Sequence, residues 1–176
     1  MCIRDSDACG VGLVASTEGK KSRLVVEYGI EALKAVWHRG AVDADGKTGD
    51  GAGIHIEIPS DFFAEKIELT GHKFDNSKIC VGMIFLPRDN YIAQETCRTL
   101  VEKELTKSNF SIYGWRQVPV NTKVLGEKAN STRPEIAQVI FRHNDKNLSG
   151  KKLEVRLYEY RSKIEKESRN NLRTIF

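Results

Sequence analysis

Hydrophobic and polar positions along the 176-residue chain switch between two periods. From Ser22 to His38 the apolar positions Val26, Ile30, Leu33 and Trp37 recur at helical spacing, and Gly40 stands where a helix stops. Gly53 to Pro59 changes to period two, with Ile54, Ile56 and Ile58 on one face and His55 and Glu57 on the other, which predicts a half-buried strand. The nearly continuous apolar run "ICVGMIFL" (79–86), closed by Pro87, predicts a central strand. Around these lie a short strand over Cys9 to Ala15 with a turn at Ser16–Gly19, and a short helix from Ser60 to Ile67, capped by Ser60. A helix over Tyr91 to Lys107 comes next, with Leu100, Val101 and Leu105 inward. "FSIYGWRQVPVN" reads as a strand entering an irregular corner, "PEIAQVIFR" as another strand, and Leu153, Leu157, Tyr160 and Ile164 mark a last amphipathic helix. There is no regular βαβ rhythm, internal repeat or long linker. The order predicts an α+β fold, with helices covering a largely antiparallel sheet, and "LRTIF" at the end reads as a further strand beginning.

A hydrophobic content of 40 % is enough for one good core, hence one domain. The net charge of +4 arises between Lys151 and Arg173, where eight Lys/Arg face four Glu. Those charges alternate in sign along one helix, as on a solvated face, and do not form the aromatic-lined basic surface that nucleic acid needs. Cys2, Cys9, Cys80 and Cys97 form no CxxC pair and no metal-ligand spacing with His38, His55, His72 or His143. They read as reduced thiols of a cytoplasmic protein. No apolar run reaches the ~18 residues of a membrane span. Met1 to Ser6 is too polar for a signal sequence and shares no pattern with the rest of the chain, which makes it a candidate for a non-native stretch.

Three places carry candidate chemistry. Cys9 is followed by Gly10 and Gly12, which strip side chains from the neighbouring backbone and let a substrate approach. The cysteine also stands after a short polar leader whose removal would make it residue one. An N-terminal cysteine carries its own base, because an α-amine titrates near ~8. That amine can take the thiol proton during attack and return it to a leaving amine. The competing reading is a small buried hydrophobe, the commoner fate of a lone cysteine. Arg39, in "WHRGA", is either a cation at a helix C-terminus or a planar fork for a substrate carboxylate. His38 reads as a helix-end residue. The loop from Gly40 to Gly53 holds "GKTGDGAG", which fails as a P-loop because no Lys-Ser/Thr comes after its glycines and no strand leads in. It reads as a flexible lid over a small polar substrate, or as a mobile connector.

Together "CGVG" at Cys9, "HRGA" ending at Ala41 and "TGDGAGI" ending at Ile54 resemble the class II glutamine amidotransferase domain. Its fold is that of the N-terminal-nucleophile hydrolases, an αββα sandwich of two antiparallel sheets between helices. "ALKAVWHRGAVDADGKTGDGAGIHIEIP", "GWRQVPVN" and "GEKANSTRPEIAQ" bring the resemblance closer to the large subunits of the glutamate synthase family. The resemblance runs from about Asp7 to the C-terminal end.

It implies a leader or propeptide remnant over 1–8, cleavage between Ala8 and Cys9, and the N-terminal part of the amidotransferase domain over 9–176. Cys9 would attack the side-chain amide of L-glutamine, passing through a thioester to glutamate and ammonia. Arg39 would bind the α-carboxylate, with Gly40, Asp50 and Gly51 completing the substrate site. Ammonia would reach downstream synthase domains of the same polypeptide and there aminate 2-oxoglutarate. FMN and an iron–sulfur cluster are expected in those later domains, with no cofactor or metal ligands in this chain, and a small reductase subunit is a further expected partner. The family's oxyanion-hole Asn-Gly pair and the Asp that holds the glutamine amino group have no match here. The chain is therefore expected to be incomplete at its C-terminus, and inactive by itself. The alternatives are another class II amidotransferase, against which the last two motifs speak, and a non-catalytic amino-acid-binding module of the same fold.

The α-carboxylate is remote from the reacting amide, so Arg39 should act on ground state and transition state alike. Loss of a bidentate charged pair costs about 2–4 kcal/mol, so Arg39→Lys should raise the KM for glutamine strongly in the full-length enzyme. Steady-state kinetics that return the wild-type KM would assign the carboxylate to another cation.

Overall fold

The computed structural model describes residues 10–37, 40–75 and 77–172, and side chains up to residue 169. The chain divides into two compact units, residues 1–57 with 121–132, and residues 58–120 with 133–176.

The larger unit is built on a three-stranded antiparallel sheet, β1 (Cys80–Leu86), β2 (Phe110–Gln117) and β3 (Glu135–His143), in the order β1-β3-β2. β3 is central. It runs opposite β1 from Cys80↔Phe141 to Leu86↔Glu135, and opposite β2 from Phe110↔His143 to Gln117↔Ala137. The "ICVGMIFL" run, expected to be central, is an edge strand among the described residues. Its apolarity reflects burial at both faces of its first half, while Met83 and Phe85 further along are exposed.

One face of the sheet carries Cys80, Ile84, Phe110, Ile112, Val139 and Phe141, packed with Val101 and Leu105 of the helix Tyr91–Lys107 and with Leu153, Leu157, Tyr160 and Ile164 of the helix Gly150–Leu172. Asn90 caps the first of these helices, its Oδ1 accepting the Ala93 amide at 2.9 Å. The opposite face carries Val81, Tyr113 and Ile140 against Phe63 and Ile67 of the helix Ser60–Leu69. Pro59, and not Ser60, is the N-cap of that helix, and no side chain caps it. Labelled in chain order, the helices are α1 (Arg23–Ala35), α2 (Ser60–Leu69), α3 (Tyr91–Lys107), α4 (Glu127–Thr132) and α5 (Gly150–Leu172).

A bulge between Ile112 and Gly114 changes the parity of β2. Ile112 lies opposite Phe141 and Gly114 opposite Ile140, so Tyr113 turns to the α2 face and Trp115 returns to the α3 face. There the Trp115 indole donates to Glu102 Oε1 at 2.6 Å under the Arg98 guanidinium, 4.9 Å from the ring centre. Between α3 and α5, the buried Glu104 carboxylate meets Lys107 at 3.0 Å and Lys163 at 2.6 Å. The ammonium of Lys163, and then that of Lys107, hold the Glu104 carboxyl below its usual range.

The smaller unit contains α1, whose half-buried face is Val25, Val26, Ile30 and Leu33, close to the predicted stripe. Trp37, expected on that stripe, is exposed. Ser22 caps α1, accepting the Leu24 amide at 3.2 Å. The described residues thus hold one sheet, where two had been expected. Of the segments read as strands, the described part of Cys9 to Ala15 and all of Gly53 to Pro59 run without a ladder. Period two reports alternating exposure, and a strand also needs a backbone partner; Ile54 and Ile56 remain 46 % and 44 % exposed.

Ile140 is 1 % exposed at the centre of the α2-side cluster. Ile140→Ala should lower stability by about 2–5 kcal/mol, read as a shift of the urea midpoint at unchanged slope. A loss below about 1 kcal/mol would mean that α2 does not seal that face.

Candidate active site

Cys9 and Arg39, the two side chains from which the sequence predicts chemistry, lie outside the described residues, as does His38. Their neighbours are described. Gly10 stands against the C-cap of α1: a Cβ built on it would be 3.5 Å from Cβ and Cγ2 of Val36. A Cβ at position 10 would thus meet the helix end in ordinary van der Waals contact. Beyond the helix, the Gly40 amide donates to the Trp37 carbonyl at 3.1 Å, turning the chain towards the glycine-rich loop.

That loop is a short hairpin. Val42 and Gly49 pair as an antiparallel bridge. The Asp50 amide donates to the Ala41 carbonyl at 3.1 Å, and the Ala41 amide donates back to Asp50 Oδ2 at 2.9 Å. One rung further out the Asp43 amide donates to the Thr48 carbonyl at 2.6 Å. The tip closes through the Gly46 amide on the Asp43 carbonyl at 2.9 Å, with Gly46 at φ +67, a conformation that glycine adopts without a Cβ penalty.

The Asp45 carboxylate fills the tip. Its Oδ1 accepts the amides of Lys47 at 2.9 Å and Thr48 at 2.6 Å, and its Oδ2 accepts the Thr48 hydroxyl at 2.6 Å. These donors, the Thr48 hydroxyl foremost, lower its pKa to about 2. Asp43 accepts the Lys128 ammonium on Oδ2 at 2.6 Å, and this pairing is the main reason that its carboxyl also titrates low. Glu57 pairs with Lys21 at 2.8 Å.

The hairpin therefore pairs Ala41 with Asp50 at its base, with Gly40 and Gly51 next to them in sequence. The stretch 41–50, read as a lid or a mobile connector, is a hairpin cross-linked by its own aspartates. Composition showed its glycines and hid these carboxylate ties. Asp50 uses one oxygen to tie the hairpin base, a local role that its spacing did not reveal.

Lys128 and Gly126 of the "GEKANST" segment were missed as contributors to this region. A Cβ on Gly126 would run into Asp45 Oδ2 and Thr48 Oγ1 and lie 2.7 Å from the Thr48 amide nitrogen, so only glycine permits this approach. The Asx pattern in "DADGKT" was a usable signal for Asp45. Lys128 lies 85 residues from Asp43, and no local pattern joins them.

The two thiols among the described residues, Cys80 and Cys97, are poor nucleophiles. Cys80 is buried, which pushes its pKa up to about 11, and burial also raises that of Cys97. Among the described residues no group of three or more His, Cys, Asp and Glu side chains converges to hold a metal ion, and no helix is long and apolar enough to cross a membrane.

Residues 9–175 match the family model for class-II glutamine amidotransferases. The chain belongs to that family. This class II amidotransferase domain is 56 % identical over 162 residues to the glutamate synthase [NADPH] large chain of Azospirillum brasilense, covering 92 % of this chain and 11 % of that protein. It is 37 % identical over 166 residues to ferredoxin-dependent glutamate synthase 2 of Synechocystis sp., covering 94 % of this chain and 10 % of the relative. The ferredoxin-dependent glutamate synthase of Pyropia yezoensis is 38 % identical over 164 residues, 93 % of this chain and 10 % of the relative. The amidotransferase domain thus spans about a tenth of the length of these curated relatives.

The Asp45 network makes a pH dependence testable. An unfolded aspartate titrates near ~3.9, so a folded pKa of about 2 stabilises the hairpin fully above about pH 4, and the contribution is lost as pH falls through about 2. The Thr48 amide resonance should titrate with a midpoint near 2, and Asp45→Asn should abolish that transition. A midpoint near ~4 would mean that the carboxylate is not held by the tip.

Proposed function

We propose that this domain is the glutaminase part of a glutamate synthase, hydrolysing L-glutamine to glutamate and ammonia. Membership of the class II amidotransferases and the 56 % identity to a glutamate synthase large chain support this reading. The structural observation that supports it is the nearness of Gly10 to Val36, where a Cβ added to the glycine would come within 3.5 Å of the valine side chain. Gly10 is next in sequence to the candidate nucleophile, and Val36 ends the helix that leads into "HRGA". Burial raises the pKa of both described thiols, Cys80 and Cys97, which makes them poor candidates for the nucleophile.

In this mechanism the leader 1–8 is removed and Cys9 becomes N-terminal. Its α-amine accepts the thiol proton as Sγ attacks the side-chain amide carbon. The same amine returns the proton to the departing nitrogen, and ammonia leaves with formation of a glutamyl thioester. Water then adds to the thioester carbon, giving up a proton to the amine, and glutamate departs as the thiol is restored. Arg39 grips the α-carboxylate as a bidentate fork, and the hairpin base with Gly40, Asp50 and Gly51 completes that end of the substrate site. The sheet of the larger unit is one layer of an αββα sandwich in this reading.

Downstream synthase domains, and a small reductase subunit, are the partners. In those domains FMN and an iron–sulfur cluster would supply the electrons for reductive amination of 2-oxoglutarate. The unpaired thiols Cys80 and Cys97 suit a cytoplasmic setting.

In the full-length enzyme, Cys9→Ser should abolish glutamine-dependent glutamate formation and spare synthesis from free ammonia. Equal loss of both activities would assign Cys9 a structural role and overturn this reading.

A further inference from the structure

The hairpin 41–50 holds itself together, but its polar ties are internal and exposed, so they do not by themselves fix where its base points. A second contact does. Lys128 of α4 reaches the outgoing limb at Asp43 Oδ2, at 2.6 Å, and Gly126 lies directly against the tip at Asp45 and Thr48. The strut is itself braced. The Asn130 amide donates to the Gly126 carbonyl at 2.9 Å, and the Lys128 carbonyl accepts the hydroxyls of Ser131 at 2.8 Å and Thr132 at 3.2 Å. Just before it, Asn121 caps the 3₁₀ turn Thr122–Val124.

We propose that Gly126 and Lys128 are positioning residues for the glutamine site, seating the hairpin 41–50 so that Gly40, Asp50 and Gly51 are presented to the substrate. This rests on the glutaminase reading above and extends it to a segment outside the hairpin. The route is short. Displacing Asp43 displaces its rung partner Thr48, and the next rung is Ala41 with Asp50. The ammonium also lies near two carboxylates, Asp43 and Asp45, that repel each other at the tip, so it relieves that repulsion while it anchors the limb. Neither residue reaches the reacting amide in this arrangement, so their effect should fall on glutamine binding and spare the chemical step.

The test uses the full-length enzyme with glutamine as the varied substrate. Lys128→Met should raise the KM for glutamine about two- to fivefold with kcat kept, the range that coupling through an exposed ion pair supports. Lys128→Arg should restore most of the wild-type KM. Asp43→Asn should raise KM similarly, and the double variant D43N/K128M should be no worse than either single one, because both remove the same contact. Gly126→Ala, which forces Asp45 and Thr48 to move, should give at least as large an increase in KM. Unchanged KM in both Lys128→Met and Gly126→Ala, beside an active wild type, overturns the positioning role alone. So does a fall of kcat in step with the melting temperature, which would mark a role in stability only. Glutamine consumption that survives Cys9→Ser would instead overturn the glutaminase reading.

Discussion

Everything in the larger unit depends on β3 being bonded along both edges. A strand flanked on each side has its amides and carbonyls satisfied within the sheet, and its side chains alone must then find apolar surroundings. Val139 and Phe141 do so against α3 and α5, and Ile140 does so against α2. Three consecutive residues thus tie three helices to one ladder. The bulge in β2 is the adjustment that this requires, since it supplies Tyr113 to the α2 side and Trp115 to the α3 side from adjacent stretches of one strand.

The smaller unit works on a different principle. None of the residues of α1 is fully buried, and the hairpin after it is held by carboxylates that accept backbone amides, a hydroxyl and an ammonium. Such bonds are directional, so they set a shape with little apolar burial. Glycine has two roles in it: Gly46 lets the tip turn, and Gly126 lets a second segment come within contact of that tip.

The long helices and β1 to β3 were legible because each carries a sustained period or an uninterrupted apolar run. α3 begins and ends where the pattern places it, at Tyr91 and Lys107. The family was legible too, through "CGVG", "HRGA" and "TGDGAGI", short strings that resemble its members. Less was legible where backbone partners decide the state. Cys9 to Ala15 and Gly53 to Pro59 have the composition of strands, yet their described residues take no ladder, and α4 with its preceding 3₁₀ turn had no periodic signal at all. "ICVGMIFL" looked central because it is apolar, and among the described residues it is an edge, with β3 as its one partner.

The amino-acid sequence by itself determined the helix and strand periods, the class II amidotransferase signature and the identity of the candidate nucleophile, all of which are properties of neighbours along the chain. Tertiary structure alone decided that β3 is central, that Trp115 turns inward past a bulge, and that Lys128 closes on Asp43 across 85 positions. The reason is physical. Periodicity and motif spacing encode what a residue does relative to its own backbone, whereas strand order and ion pairing depend on which distant surfaces bury each other, and no local pattern carries that choice.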